Sequence, residues 1–395
     1  MPCRRLAAVT SLSFHDQCAP MRRVLPSGTG MLACLATTLA APCAAQTVTR
    51  LEADATLLAS DNPFLLDGDG NGAIATELSA SQNTRWSLLP STTLELSADA
   101  AYRRYWSKYG DFLTGGVDVG VTHRDSEYLS FDAGLSLARE LPADALTESI
   151  DHAADPRTVR KRIVGRASVR WTPDPYTEVT GTGSWENLRY PGSSLLASTN
   201  ARQLRVSASR RVNSVTSLGL EARATRTKLP GAGDLATDGV FVTAAHRLAP
   251  NLEVDGQVGV EWSDYDLAGS NRARLSGSGN ICYRPEFTGL CFTISLQSEV
   301  SGLGGLQREF YAGTTASRRI GPRSELSATA DYRKAELGTL GLQTSAMRIN
   351  MTYRHRLNQR IWLNAGVDYL SRKFLTAPRN DAVVLQIGIT FGLER

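Results

Sequence analysis

The stretch Ala382–Leu393, AVVLQIGITFGL, decides how the chain is read. Val383, Leu385, Ile387, Ile389, Phe391 and Leu393 fall on one face, while Ala382, Gln386, Gly388, Thr390 and Gly392, followed by Glu394, fall on the other. Only Val384 breaks the alternation. A period of two over about a dozen residues belongs to a strand with one apolar and one polar side. Soluble sheets use strands of roughly five or six residues, whereas about 9 to 11 or more, apolar outside and small or polar inside, suits a tilted bilayer crossing.

The same alternation recurs upstream. Leu94, Leu96, Ala98, Ala100 and Tyr102 oppose Glu95, Ser97, Asp99 and Arg103. Val254, Val258, Val260 and Trp262 oppose Asp255, Gln257, Gly259 and Glu261. Read this way, residues 46–395 hold about 18 strands, from 47–60 to 382–393. Every second connection is tight and carries Pro or Asn, as at Pro90, Pro173 to Pro175, Asn213, Pro250, Pro322 and Asn358. The others, at 61–72, 141–157, 191–199 and 229–237, are longer and rich in Gly, Asp and Ser. Tight turns at one rim and long loops at the other predict an all-β fold, a transmembrane antiparallel up-and-down barrel with both termini periplasmic. Aromatics near strand ends predict two interfacial girdles: Trp86, Trp171, Tyr176, Tyr283, Trp362 and Phe391 at the turn rim, and Tyr105, Trp106, Trp185, Tyr190, Trp262, Tyr265 and Tyr369 at the loop rim.

Average hydropathy alone points to a soluble protein, but a barrel hides its membrane face in alternation, so a polar average does not exclude one. The chain is 42% hydrophobic and 21% charged, and no apolar run after the first fifty residues reaches membrane-helix length. The formal charge of +4 gives no reason to expect a nucleic-acid partner. Residues 1–45 read as an export signal: Arg22 and Arg23 precede the apolar run Met31–Ala41, and Cys43-Ala44-Ala45 supplies small residues before a cut at Gln46. A second start-like stretch with Arg4 and Arg5 leaves Met21 as an alternative start. Pro42 and Met31 make poor lipoprotein boxes around Cys43 and Cys34. Four of the six cysteines leave with such a signal; Cys282 and Cys291 remain, on the polar parity of one hairpin, and read as a disulfide rather than a redox or metal pair.

Ser60-Asp61-Asn62-Pro63-Phe64, Tyr102-Arg103-Arg104-Tyr105 and the Cys282–Cys291 hairpin together resemble the outer-membrane β-barrel porin family found beside exopolysaccharide biosynthesis genes. The resemblance spans the mature chain and implies an outer-membrane barrel with a role in polysaccharide export or secretion, without catalytic residues. The ending departs from the usual barrel pattern, since Phe391 is followed by Gly392-Leu393-Glu394-Arg395 rather than standing last.

The polar face predicts a charged lumen lined by Arg103, Arg166, Arg170, Arg205, Arg223, Arg272, Arg274, Arg333, Arg348 and Arg354, with Asp99, Asp118, Asp132, Asp255, Glu261 and Asp331. Such charges either select solutes in a wet pore or form salt-bridge ladders that fill it. The 141–157 loop, carrying Asp144, Glu148, Asp151 and Asp155, is expected either to fold inward as a constriction or to stay solvated at the surface. Asp67-Gly68-Asp69-Gly70-Asn71-Gly72 matches half a calcium loop, but Leu78 stands where the bidentate Glu belongs, so no metal is expected. His123, His152, His246 and His355 have no partner identifiable from spacing, which argues against an enzyme, and nothing calls for a cofactor. The expectation is an outer-membrane channel for hydrophilic solutes in contact with lipid, linked to polysaccharide and export-machinery proteins. The alternative is a non-conducting scaffold that binds those same partners. Mass spectrometry of protein purified from outer membranes is expected to give Gln46 as the first residue; retention of residues before it would refute the export-signal reading.

Overall fold

A computed structural model describes residues 46–394 apart from 69, 231–232, 266–271 and 338–341. The expected export segment, residues 1–45, lies outside the described residues. The chain forms 18 strands: β1 (Gln46–Ser60), β2 (Ala73–Leu89), β3 (Thr92–Tyr105), β4 (Asp111–Arg124), β5 (Leu129–Glu140), β6 (Arg160–Asp174), β7 (Thr177–Arg189), β8 (Thr199–Arg211), β9 (Thr216–Leu229), β10 (Gly233–Ala249), β11 (Leu252–Tyr265), β12 (Arg272–Tyr283), β13 (Thr288–Ser301), β14 (Gly305–Arg319), β15 (Ser324–Leu337), β16 (Leu342–Arg356), β17 (Ile361–Phe374) and β18 (Asn380–Glu394). Each pairs antiparallel with its neighbours in sequence, and β1 also pairs with β18, from Arg50↔Glu394 to Ser60↔Val384. The sheet therefore has no free edge.

Register fixes what points where. Leu51, Ala53, Ala55 and Leu57 stand opposite Leu393, Phe391, Ile389 and Ile387 on the outer surface, where the apolar side chains are exposed. Glu52, Asp54 and Thr56 stand opposite Gly392, Thr390 and Gly388 on the inner one. A soluble protein would bury the first set; a barrel in lipid presents it to hydrocarbon. The turns between β2 and β3, β10 and β11, and their equivalents share one rim with both ends of the described chain, and the long connections share the other. Cys282 and Cys291 face each other in register across β12 and β13 and form a disulfide near the turn rim.

Two expectations are corrected. The stretch 229–237 is not a long loop: β9 runs to Leu229 and β10 starts at Gly233, because Leu235 packs inward and is buried. Three of the expected girdle aromatics point inward. Tyr105 and Tyr190 are buried beneath the loops, and Trp362 sits opposite Thr390 with the Arg354 guanidinium 4.9 Å over its ring. Trp106, Trp171, Tyr176, Trp185 and Trp262 are exposed as a girdle requires, whereas the side chain of Tyr265 lies outside the described residues. Parity decides between these fates, and near a strand end a single residue of slip changes it.

The inner wall also contains close-fitting features. Phe241 is buried against glycines: an added Cβ at Gly259 would lie 2.1 Å from the Val240 carbonyl oxygen and 2.7 Å from the Phe241 ring. The Arg223 guanidinium lies over that ring, 5.0 Å from its centroid. Gly259→Val is expected to displace Phe241 and cost about 1–3 kcal/mol, read as a lower urea midpoint for the refolded barrel. An unchanged midpoint would mean that the wall yields freely there.

Candidate functional site

The lumen is where side chains with chemical potential gather. The β5–β6 connection, residues 141–159, folds into the barrel, forming a 3-10 turn at Pro142–Ala145 and a short helix, α1 (Ile150–Ala154), packed beside β15, β16 and β17. Its sequence favours this path. Leu141, Leu146, Ile150 and Ala153 are fully or almost fully buried, so an apolar loop face finds cover that solvent could not give it. Ser149 caps α1, accepting the Asp151 N–H at 3.3 Å.

The β1–β2 loop supplies the rest of the plug. Asn62 bonds both ways with Leu66, at 2.9 Å each, and closes a turn that holds Leu65 at φ 53°, a left-handed conformation that branched or bulky residues rarely adopt. The strain places Phe64 and Leu65 in two separate apolar sites. Phe64 lies 4.9–5.5 Å from the rings of Tyr105, Tyr109 and Phe112, and Leu65 packs with Leu146, Ala153, Ala346, Leu370 and Ala382. Neither residue stands out as a site in the sequence; a Phe-Leu-Leu run inside a Gly/Asp loop was the available signal.

Wall arginines secure the plug. Arg103 on β3 binds Glu77 and reaches Asp144 at 2.8 Å, and Arg348 on β16 donates to the Asp144 carbonyl while holding Asp368 at 3.0 Å. Arg333 on β15 donates to the Thr147 carbonyl at 2.6 Å and pairs with buried Glu309. Arg372 on β17 donates to the Leu65 carbonyl at 3.0 Å and the Ala153 carbonyl at 2.8 Å. Loop carbonyls buried away from water need donors, and guanidinium groups supply them. Asp151 fastens the plug to the ends of β7 and β13, accepting from Ser301 Oγ–H, Gly302 N–H at 2.9 Å and Tyr190 O–H at 3.1 Å. Asp155 accepts from Ser193 at 2.7 Å, and Glu148 lies 3.8 Å from Arg160, which also pairs with Glu140.

The remaining polar-face residues whose side chains are described also lie on the inner surface. Arg166 shares a cavity of about 340 Å³ with Glu95, Asp118 and Asp132. Asp99 is opposite Ser81 and Gly116. Arg170 meets Glu178 at 3.5 Å, and Arg205 and Arg223 share Glu221 at 3.5 and 2.8 Å. Arg274 is opposite Glu261, which accepts from Ser276 and from the Ser298 N–H. Asp255 accepts from Asn280 at 3.1 Å, Asp331 accepts from Tyr311 at 2.7 Å, and Arg354 is 4.0 Å from Glu52. Arg272 is opposite Ser263, and its side chain lies outside the described residues. A second cavity, about 310 Å³, lies between plug and wall and is lined by Glu77, Arg103, Asp144, Arg348, Asp368 and Gln386.

Three histidines have partners that spacing did not reveal. His123, His246 and His355 each set Nδ1 2.8 Å from a hydroxyl, of Thr92, Thr216 and Ser324 respectively, on the adjacent strand at the turn rim. Each pair occupies opposite register positions and closes the end of its hairpin. His152 differs. It is fully buried in α1, its Nδ1–H donates to the Ala145 carbonyl, and its Nε2 has no partner among the described residues. Among the described residues no cluster of His, Cys, Asp and Glu could hold a metal ion, although Asp69 lies outside them.

No protein-family model matches the chain, and no curated protein matches it. Among solved structures the barrel is similar to Pseudomonas aeruginosa OccK2 (OpdF) in complex with glucuronate, at 12% identity and TM-score 0.49 over 88% of this chain and 98% of that one. It is also similar to the outer membrane protein OpdK of Pseudomonas aeruginosa, at 10% identity and TM-score 0.46 over 88% and 99%. For OccAB3 of Acinetobacter baumannii the values are 9%, 0.46, 89% and 100%. Likeness at this level transfers neither residues nor solutes to this chain.

Two buried groups tie plug docking to pH. Burial, with Arg160 beside it, pushes the His152 imidazole down to about 3, and burial pushes the Asp151 carboxyl up despite its hydrogen bonds. An undocked imidazole takes a proton near its usual 6.5 and the docked one does not, so docking weakens as pH falls through that window, by ~1.4 kcal/mol per unit. The upward push on the Asp151 carboxyl acts in the opposite sense, favouring docking as pH falls. In Asp151→Asn protein, a nitroxide at Glu148→Cys is expected to become more mobile from about pH 7 to about pH 5, and His152→Gln to abolish the change. Equal mobility with and without His152 would refute the linkage.

Proposed function

We propose that this protein is an outer-membrane channel through which small hydrophilic solutes pass around the inward-folded β5–β6 loop. The observation that carries the reading is a closed ring with hydrocarbon-compatible side chains outside and ionised ones inside, narrowed by a loop that four wall arginines hold. An 18-strand ring is wide enough to leave an aqueous passage unless something fills it. Water in the lumen also accounts for the half-exposed, ion-paired state of Arg170, Arg205 and Arg354, since a dry interior would make such pairs costly.

Selection in this reading is steric and electrostatic. Arg103, Arg333 and Arg348 serve chiefly to hold the loop, so the charges left facing the passage are those of the open wall, among them Asp118, Asp132, Arg166, Arg170 and Arg205. Acidic and basic groups lie close together on adjacent strands, an arrangement that suits hydroxyl-rich or dipolar solutes as well as ions. The link to exopolysaccharide export is a narrower proposal resting on the resemblance at Ser60–Phe64, Tyr102–Tyr105 and Cys282–Cys291. The docked plug favours units of one or a few sugars over a continuous polymer, which would need the β5–β6 loop to leave the lumen. A non-conducting scaffold that binds polysaccharide or export proteins remains the competing reading, and it requires a sealed barrel.

Planar-bilayer recording separates them. The full mature chain is expected to give stable current steps, and deleting residues 143–155 is expected to enlarge them. No current from protein shown to have inserted would establish the scaffold, and an unchanged step after the deletion would remove the constriction.

A further inference from the structure

Three cations stand side by side on the lipid-facing surface at the loop rim. Arg139 on β5 is directly opposite Lys161 on β6, and Lys161 is directly opposite Arg189 on β7. All three are exposed, and none makes an ion pair among the described residues. Like charges at opposing positions of a sheet repel and destabilise the pairing. Several other outward cations near this rim have an acid beside them, as with Arg226 and Asp238 at 2.7 Å, Lys334 and Glu336 at 3.5 Å, and Arg104 and Asp111 at 4.0 Å. The outward positions of β5 to β8 contain no Asp or Glu, and the four carboxylates of the neighbouring loop turn to the lumen instead.

Farther toward mid-membrane, past Ile163 opposite Asn187 and Gly165 opposite Trp185, the same strands present small residues. Ala167 is opposite Gly183 and Val169 is opposite Gly181, and a Cβ added at Gly181 or Gly183 would meet open space. The Trp185 ring lies against Gly165, 3.7 Å from where an added Cβ would stand, and Leu204, opposite Gly183, rises at the side. The result is a shallow apolar trough beneath a cluster of uncompensated positive charge, placed where headgroup meets acyl chain.

We propose that this surface binds one phosphorylated lipid of the outer leaflet, its phosphates between Arg139, Lys161 and Arg189 and an acyl chain passing the Trp185 ring to lie along Ala167, Gly181 and Gly183. Cations that repel each other become an asset once a shared phosphate neutralises them, because each then makes a charge-assisted hydrogen bond. The assignment rests on the membrane-embedded reading above and not on conduction.

The test measures binding of bisphosphorylated lipid A by full-length mature protein in detergent. Saturable binding is expected, and the triple variant R139Q/K161Q/R189Q should lose about fivefold per cation, on the order of 100-fold together. A control triple, R104Q/K334Q/K373Q, removes outward cations elsewhere on the rim and should bind as the native chain does. If the first triple fails to fold, Lys161→Gln alone should show its fivefold loss. Gly183→Leu should weaken lipid binding while leaving the weak affinity for inorganic phosphate unchanged. Equal losses in both triples, or equal binding of dephosphorylated lipid, would overturn the proposal. Failure of the barrel to insert into phospholipid vesicles would instead refute its membrane location, so the two failures are distinguishable.

Discussion

Pairing of β1 with β18 is the constraint on which the rest depends. Hydrocarbon offers no partner to a backbone N–H or C=O, so a sheet in lipid persists only if its first and last strands meet. Here they meet over Arg50 to Ser60, and the closed ring then dictates two environments for every strand. The alternation Val383, Leu385, Ile387 outside and Gln386, Gly388, Thr390 inside follows from closure. So does the fate of the arginines, which can stay ionised only on the wet side.

Given that ring, the plug answers a second problem. A lumen of this width, filled only by water, would leave the apolar faces of the β1–β2 and β5–β6 loops without cover outside the barrel. Folding inward buries Phe64, Leu65, Leu146 and Ile150, at the cost of bringing loop carbonyls and the Asp151 carboxylate away from water. Arg103, Arg333, Arg348 and Arg372, together with Ser301, Gly302 and Tyr190, satisfy those groups. Removing one such partner leaves a buried polar group unpaired, worth about 1–3 kcal/mol. The charged wall and the greasy loop are therefore mutually dependent.

The ring was legible because period-two alternation and Pro or Asn turns are local signals. Residues 382–393 state both faces of a strand without reference to anything else, and the disulfide follows from two cysteines of equal parity in one hairpin. Strand ends were harder: register shifts at Ser87/Leu89, Trp171/Asp174 and Arg247/Ala249 sit near the turns, and Trp362 and Tyr105 show how little separates an outward aromatic from an inward one. The plug was only half legible. Asp144, Glu148, Asp151 and Asp155 mark the loop, yet nothing local distinguishes Arg348, which holds it, from Arg205, which does not. That distinction depends on where a loop lands after distant strands have met, and Phe64 and Leu65 carry no sequence period at all.

Asp151 also bears on the order in which the molecule is built. Its partners Ser301 and Gly302 come 150 and 151 residues later in the chain, and the Arg372 contact with Ala153 spans 219. These contacts are supplied by β13 and β17, so the full set that holds the β5–β6 loop is complete only when strands far downstream of the loop have joined the wall.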